Sequence, residues 1–323
     1  MKNKARKIWI RIAIFSIILG VIIFGGMMTV LKWDFSKLSN AKLETAEYEI
    51  SETFTNISLQ AGVEDIRLVP SEDGKCKVVC YEEKKVTHSA TVQDGTLVIK
   101  TLNQKSWYDY IRLYSPATKI TVYLPNAEYG ALSVEAKTSD IEIAKEFTFD
   151  SIKLSVSTGD AICYANAKNA VNIKTTTGGV RVENVEVGSL NVSVSTGRVN
   201  MTGIACEGDL SITVSTGKVI AKNITCKNLT TKGDTGDTFL ENTVASERFS
   251  IKRSTGDVRF DGCDAGELMV ETDTGDVTGT LLSEKMFIAK TDTGRVEVPK
   301  TTNGGKCEIT TDTGDIKISI KQP

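Results

Sequence analysis

Eight aspartates in the last third of the chain form the clearest pattern of side chains capable of chemistry. Each stands one residue after, or two residues before, a glycine that recurs at intervals of 19 or 20 residues. Carboxylates stacked about 4.8 Å apart repel one another unless protons or cations neutralise them, and calcium prefers several such oxygens. One interpretation is therefore a calcium-binding edge made by Asp234, Asp237, Asp257, Asp273, Asp276, Asp292, Asp312 and Asp315.

The competing interpretation is that these aspartates only form turns. Aspartate favours turns and stays solvated there. Arg253 and Arg295 place positive charge in the same stripe, and the chain lacks the nonapeptide typical of calcium-binding β-rolls. Both interpretations stay open on the sequence alone.

His88 is the only histidine in the chain. Chemistry that needs two imidazoles, as most zinc catalysis does, is therefore excluded. The sequence offers His88 no evident partner, so we interpret it as a surface residue. We predict no cofactor and no catalytic residue.

The seven cysteines show no metal-binding motif. Cys76 and Cys80 would share one face of a strand, too far apart for a disulfide. Cys206 and Cys226 stand at the same place in neighbouring repeats, so a disulfide between them is conceivable. The remaining three occupy or border apolar positions, where cysteine behaves as a small hydrophobe; these are Cys163, Cys263 and Cys307.

Charge and composition narrow the class of partner. The chain has 39 basic and 41 acidic residues, a net charge of −2, so no overall basic field predicts nucleic-acid binding. A glycosidase-like reaction needs paired carboxylates in a cleft, whereas the only carboxylate series here lies on turns. A cluster of aromatic residues predicts either a binding surface or a plug that closes one end of the fold; its members are Trp107, Tyr108, Tyr110 and Tyr114.

A repeat built on Thr-Gly-x must position all of these residues. A degenerate copy, Thr138-Ser139-Asp140, precedes nine regular ones. Apolar and polar residues alternate on both sides of each glycine, which is the period of a strand with one buried face. Glycine accepts the positive φ that a bend between strands commonly needs. The predicted turn glycines are Gly159, Gly178, Gly197, Gly217, Gly236, Gly256, Gly275, Gly294 and Gly314.

The pattern predicts an all-β fold, a single-stranded parallel β-solenoid with 19–20-residue coils, wound right-handed by the general crossover rule. Propeller blades are the alternative, but they need about 40–50 residues per unit. We expect regular coils over residues 131–323 and irregular capping coils over 48–130. We also expect residues 316–323, with their lysines and Pro323, to form the final strand and to protect the open edge.

The beginning of the chain predicts a membrane anchor. Residues 1–11 are basic, and residues 12–31 carry no charge over a length that spans about 30 Å as a helix. A cleaved signal peptide is the alternative, but its apolar region is usually shorter. Residues 32–47 form a juxtamembrane linker. The basic tail favours a cytoplasmic N-terminus at the plasma membrane, with the bulk of the chain outside.

The anchor, the strand end Tyr123-Leu124-Pro125 and the run of Thr-Gly-Asp turns resemble the bacterial "putative adhesin" family. The resemblance covers residues 50–320 and implies membrane-anchored strand-repeat proteins of unknown function, common in Gram-positive bacteria. Some are similar to proteins encoded beside envelope stress-response systems. This sequence departs from the pattern at Gly179, Arg198 and Lys218, which replace the usual aspartate.

Three functions follow as hypotheses. The first is a non-enzymatic, membrane-anchored cell-surface solenoid that binds an envelope polymer or protein, acting in adhesion or as a scaffold. The second is a tethered scaffold facing the cytoplasm that polymerises end to end. The third is an enzyme acting on polysaccharide, which the position of the carboxylates disfavours. The sequence leaves the ligand and the oligomeric state open.

Overall fold

The computed structural model describes residues 2–34, 43–83, 85–104 and 118–321. The aromatic cluster of residues 107–114 and the terminal Gln322 and Pro323 lie outside the described residues. The chain begins with one helix, α1 (Lys2–Val30), of which Arg6–Val30 is long and apolar enough to cross a membrane. A membrane anchor and a signal sequence both fit this finding.

The first seven strands form an irregular end of a larger sheet. They are β1 (Leu43–Ile50), β2 (Asn56–Ala61), β3 (Asp65–Pro70), β4 (Cys76–Glu83), β5 (Val86–Gln93), β6 (Thr96–Asn103) and β7 (Lys119–Leu124).

Sixteen further strands form the regular part, and several of them run on through a corner into the next coil. They are β8 (Glu128–Thr138), β9 (Ile141–Ile143), β10 (Thr148–Thr158), β11 (Ala161–Cys163), β12 (Asn166–Thr177), β13 (Val180–Thr196), β14 (Val199–Cys206), β15 (Asp209–Thr216), β16 (Val219–Thr235), β17 (Thr238–Thr255), β18 (Val258–Thr274), β19 (Val277–Leu281), β20 (Lys285–Thr293), β21 (Val296–Glu297), β22 (Gly305–Thr313) and β23 (Ile316–Ile320).

These strands wind into a parallel β-solenoid of about ten coils, as the repeat predicts. Equivalent residues pair in register from coil to coil: Leu154 lies against Ile173, and Ile173 against Val192. All three are buried in one continuous apolar core. Burying such a side chain stabilises the fold by about 1.5–3 kcal/mol, so the columns of equal residues hold the coils together.

The corner glycine leaves no room for a side chain. Gly217 has φ +143°, and a Cβ there would overlap the backbone carbonyl of Gly197 in the neighbouring coil, far inside the 3.0 Å that real Cβ atoms keep. The preceding threonines also pair across coils, as Thr158 does with Thr177. The coils therefore approach most closely at this corner.

The order of the last coils differs from the order of the sequence. Strand β22 lies between β18 and β20, and β23 lies between β19 and β21. The expectation that residues 316–323 form the outer edge is wrong, because the earlier strands β20 and β21 are outermost. The physical reason lies in the side chains: Ile309, Ile316 and Ile318 are buried between two coils, whereas Val296 on the outer coil stays 43% exposed.

The other end is likewise out of sequence order. The coil formed by β2 and β3 lies between the β6–β7 coil and the β8–β9 coil. Strand β4 then pairs antiparallel with β7 and with β1, while β5 pairs antiparallel with β6. Antiparallel strands thus cover the solenoid at the end nearest the helix in sequence.

Candidate functional site

A series of carboxylates joins the coils along the glycine corner. In most coils the residue after the corner position is an aspartate, and its carboxylate accepts a hydrogen bond from the backbone N–H of the equivalent residue in an adjoining coil. Asp140 Oδ1 accepts from Asp160 N at 2.8 Å, and Asp257 Oδ1 accepts from Asp276 N at 2.9 Å. We call this series the aspartate ladder; it comprises Asp65, Asp140, Asp160, Asp237, Asp257, Asp276 and Asp315.

The ladder bears on the predicted calcium edge. Of the eight aspartates of the predicted calcium edge, the four that follow a glycine belong to the ladder: Asp237, Asp257, Asp276 and Asp315. The four that stand two residues before a glycine are exposed at the corner: Asp234, Asp273, Asp292 and Asp312. Among the described residues, no three carboxylates at this edge lie close enough to share one ion. Calcium binding stays a prediction, and the aspartates after the glycines have a structural role without it.

Cationic side chains and backbone N–H groups stabilise the charged form of two ladder carboxylates. A hydrogen bond from Lys218, at 2.7 Å, is the main cause that lowers the pKa of Asp237. The backbone N–H and then the side chain of Arg295 lower the pKa of Asp315. Arg253, in contrast, is not part of the exposed stripe as expected: it is buried beside Gly233, where its Nη1 donates to the carbonyl of Val214 at 3.2 Å.

Three consecutive coils interrupt the ladder. Gly179, Arg198 and Lys218 stand where most other coils have aspartate, so the carboxylate that would accept from the next coil is missing three times in a row. In the described part of the chain, the backbone N–H groups of Arg198, Lys218 and Asp237 accordingly make no hydrogen bond. We call this segment, residues 179–218 of the corner, the ladder gap.

A surface cavity of about 670 Å³ lies over the ladder gap. Three exposed cationic side chains line it, those of Arg181, Arg198 and Lys218, against the single carboxylate of Asp160. Arg181 lies 3.5 Å from Glu183, and Lys218 pairs with Asp237, but Arg198 has no ion pair within the described residues. Free N–H donors and a guanidinium together favour an anion.

A second cluster of polar groups lies buried at the antiparallel end. Cys80 and Glu82 project from the core face of β4, His88 from β5, and Glu64 from the corner between β2 and β3. The interpretation of His88 as a surface residue without partners is wrong, because its side chain is fully buried. His88 Nδ1 lies 3.0 Å from Glu82 Oε1, and its backbone N–H donates to the same oxygen at 2.9 Å.

The two carboxylate oxygens of Glu64 differ in how many hydrogen bonds they accept. Glu64 Oε2 accepts hydrogen bonds from the N–H groups of Gly62 and Val63, at 2.7 and 3.0 Å, and from Thr101 Oγ1 at 3.2 Å. In contrast, Glu64 Oε1 and His88 Nε2, 3.7 Å apart, make no hydrogen bond within the described residues. Each is a buried polar atom that the surrounding protein leaves unsatisfied.

Burial and hydrogen bonding oppose each other at these groups. Burial is the largest influence on the imidazole and would lower its pKa, but the side chains of Cys80, Glu64 and Glu82 around it raise the pKa of His88 to about 10. Burial would raise the pKa of Glu64, but the nearby His88 side chain and the hydrogen bonds from backbone N–H groups lower it. Burial also raises the pKa of Tyr48, which donates to Glu82, to about 12.

All seven cysteines are buried and free. Cys206 and Cys226 do lie in adjoining coils, as expected, since Ala205 pairs with Thr225, but they form no disulfide. Cys163, Cys263 and Cys307 lie in the core, as the apolar columns predict. Sequence reasoning placed Cys80 on a strand face but missed its cluster partners Glu82 and Glu64; the alternation of Cys80 with Glu82 on a strand was a usable sign that both face inward.

Comparison with known proteins supports the adhesin-like resemblance. Residues 54–214 and 205–323 match one family model, described as Toastrack DUF4097. No curated protein matches the sequence. Among solved structures, a "putative adhesin" from Bacteroides fragilis is 17% identical, with 87% of this chain and 99% of that chain covered and a TM-score of 0.42.

Two further structures are similar over the same share of this chain, 87%, and 98% of their own. One is a "putative lipid binding protein" from Parabacteroides distasonis, 13% identical with a TM-score of 0.47. The other is a "putative adhesin" from Parabacteroides merdae, 12% identical with a TM-score of 0.47. Because the family model matches well over half of its residues, this protein belongs to the Toastrack DUF4097 family.

Proposed function

We propose that this protein is a non-enzymatic interaction module, anchored by α1 in the plasma membrane with its solenoid outside the cell, which binds an anionic polymer of the envelope at the ladder gap. The observation that carries the proposal is the interruption of the aspartate ladder over three consecutive coils. It converts a corner whose N–H groups are paired into a row of three free N–H donors, of which those of Arg198 and Lys218 belong to a cavity lined by three cationic side chains.

The geometry favours a repetitive, phosphate-bearing ligand. Adjacent coils lie about 4.8 Å apart, so the free donors form a row along the solenoid axis. A phosphate group accepts several hydrogen bonds at once, and arginine binds it with two N–H groups. A polymer with regularly spaced phosphates can therefore contact Arg198 and Lys218 together with the backbone between them.

The orientation rests on the basic residues that precede the apolar helix, which favour a cytoplasmic N-terminus. In this orientation the cavity faces the polymers of the envelope. Polymerisation of a cytoplasmic scaffold is less well supported, because end-to-end stacking needs open parallel edges at both ends. Strands β4 and β5 cover one end in antiparallel pairing.

Binding can be tested with the full chain in detergent and long-chain polyphosphate as the probe. Arg198→Asp adds the missing carboxylate and removes a cation. Arg295→Asp is the control: it makes the same charge change at the equivalent position of an outer coil, where the backbone N–H of residue 295 already donates to Asp315. We expect Arg198→Asp to weaken binding at least about tenfold, since one charge-assisted hydrogen bond contributes about 1.5–3 kcal/mol.

Arg295→Asp should leave the affinity within about twofold. A third variant, Gly179→Asp, restores the acceptor for the N–H of Arg198 without removing a cation, and should also weaken binding. Equal effects of Arg198→Asp and Arg295→Asp would show that only overall charge matters. No binding of polyphosphate by the wild type at low salt would overturn the proposal.

A further inference from the structure

The buried cluster at the antiparallel end combines the three side-chain types that bind zinc. Thiolate, imidazole and carboxylate are the usual protein ligands of this ion. Within the described residues, Cys80, Glu82 and His88 form the single group of three or more such side chains whose candidate ligand atoms all lie within 4.8 Å of one another. All three residues are buried.

Their separations suit one tetrahedral centre. Bonds of about 2.0–2.3 Å place neighbouring ligand atoms about 3.3–3.8 Å apart. His88 Nδ1 and Glu82 Oε1, at 3.0 Å, lie within a few tenths of an ångström of this range. Cys80 and Glu82 stand two residues apart on the same face of β4, and His88 faces them from β5. Small rotations of the side chains are enough to place one ion among them.

The unsatisfied atoms point to the same conclusion. A histidine that binds metal through one nitrogen usually donates the other N–H to a carboxylate, which fixes the ring. His88 Nε2 and Glu64 Oε1 face each other at 3.7 Å, fully buried and without other partners in the described region. Glu64 itself is held by two backbone N–H groups and Thr101. It is therefore in position to orient His88 from behind.

We propose that Cys80, Glu82 and His88 bind one zinc ion through His88 Nδ1, with Glu64 as the carboxylate that orients His88 from its Nε2 side. The three ligands are buried away from any substrate, so we assign the ion a structural role. It joins β4 and β5 to the corner between β2 and β3, and so fastens the antiparallel strands to the first coil. The ligand set lies far from the ladder gap in sequence, and the proposal does not depend on the proposed function.

The full chain, purified in detergent with a tag that contains no histidine, provides the first test. We expect one zinc per chain by elemental analysis. After removal of the ion with a chelator, cobalt(II) should bind with equal stoichiometry and give a thiolate-to-cobalt charge-transfer band with intense visible absorption typical of tetrahedral coordination. Since His88 is the only histidine, no other site can supply an imidazole.

Two cysteine variants distinguish the site from general thiol binding. Cys80→Ser should lose the zinc and the charge-transfer band. Cys76→Ser removes a buried thiol from the same face of the same strand, four residues away, and should keep both. His88→Gln should lower zinc affinity at least about tenfold, in line with the loss of a ligand.

If Cys80→Ser fails to fold, the cobalt spectrum of the wild type decides the question alone. A wild-type chain that holds no zinc and gives no charge-transfer band after incubation with cobalt(II) would overturn the proposal. Equal metal content in Cys80→Ser and Cys76→Ser would overturn it as well. In either case the buried cluster would be an ion pair of His88 with its two carboxylates.

Discussion

Substitution of Gly217 by alanine tests how closely the coils approach at the corner. The new Cβ would overlap the backbone carbonyl of Gly197, and neither group can move without displacing a whole coil. The positive φ of +143° adds backbone strain for any residue with a side chain. Gly95→Ala is the matched control, because Gly95 has φ +70° but no atom within 4 Å of its Cβ position.

The structure allows the two effects to be estimated separately. Strain at such a φ costs about 1–3 kcal/mol, and losing two corner hydrogen bonds, Gly197 N to Thr216 O and Gly217 N to Thr235 O, costs about 1 kcal/mol each. The sum is about 3–5 kcal/mol for Gly217→Ala. Gly95→Ala involves only the left-handed backbone, about 1–2 kcal/mol.

Denaturant unfolding of the full chain in detergent, followed by circular dichroism, measures this difference. Because coils of a solenoid can unfold separately, the midpoint of the first transition is the quantity to compare. We expect the midpoint of Gly217→Ala to lie clearly below that of Gly95→Ala. Equal midpoints would refute the reasoning, since they would mean that backbone strain alone decides the cost and that the neighbouring carbonyl yields freely.

Three other predictions concern the charged groups. Asp257→Ala removes the acceptor of the Asp276 N–H and should lower the free energy of unfolding by about 1 kcal/mol. Asp257→Asn keeps an oxygen acceptor and should lower it less in the same denaturation assay; equal losses of stability would contradict the structural role of the ladder. Because the pKa of Asp237 is lowered in the fold, its contribution to stability is fully present above about pH 3.8 and is lost as the pH falls through the folded pKa. Lys218→Met should therefore reduce the difference in melting temperature between pH 7 and pH 3. Arg253→Met removes a buried guanidinium but leaves its two acceptors, Thr238 Oγ1 and the Val214 carbonyl, without that donor, and should destabilise the fold by about 1–3 kcal/mol. An unchanged or raised midpoint would contradict this.

The regular coils could be predicted because every coil repeats the same local requirement. A glycine with positive φ, a threonine before it and alternating apolar residues define one corner and two strands, and pairing of equal residues follows in register. The buried Arg253 shows where such counting fails. Its charge indicated an exposed position, but it stands three residues before Gly256 in an inward column, and Gly233 on the neighbouring coil leaves the space it fills.

The arrangement of the two ends could not be predicted, because the repeat determines the shape of each coil but not which other coil it pairs with. Any coil can pair with any other that presents the same columns. The choice depends on which side chains gain most from burial on both faces, and on antiparallel pairings between residues far apart in sequence, such as Val79 with Thr121. The environment of His88 is a product of these pairings: strand alternation indicates that Cys80 and Glu82 share the inward face of β4, but not that His88 and Glu64 meet them there.

The ladder gap is more than a loss of aspartates, as a comparison with Arg295 shows. Arg295 also stands where most coils have aspartate, yet its backbone N–H and its guanidinium both bind Asp315, at 2.8 and 2.9 Å. The replacement there stays within the ladder and leaves no donor free. At Arg198 the coil before it has glycine instead of aspartate, so the donor and the cation both stay open. Under the proposed function, binding of an anion therefore requires consecutive replacements, which in the described part of this chain occur at the coils of Gly179, Arg198 and Lys218.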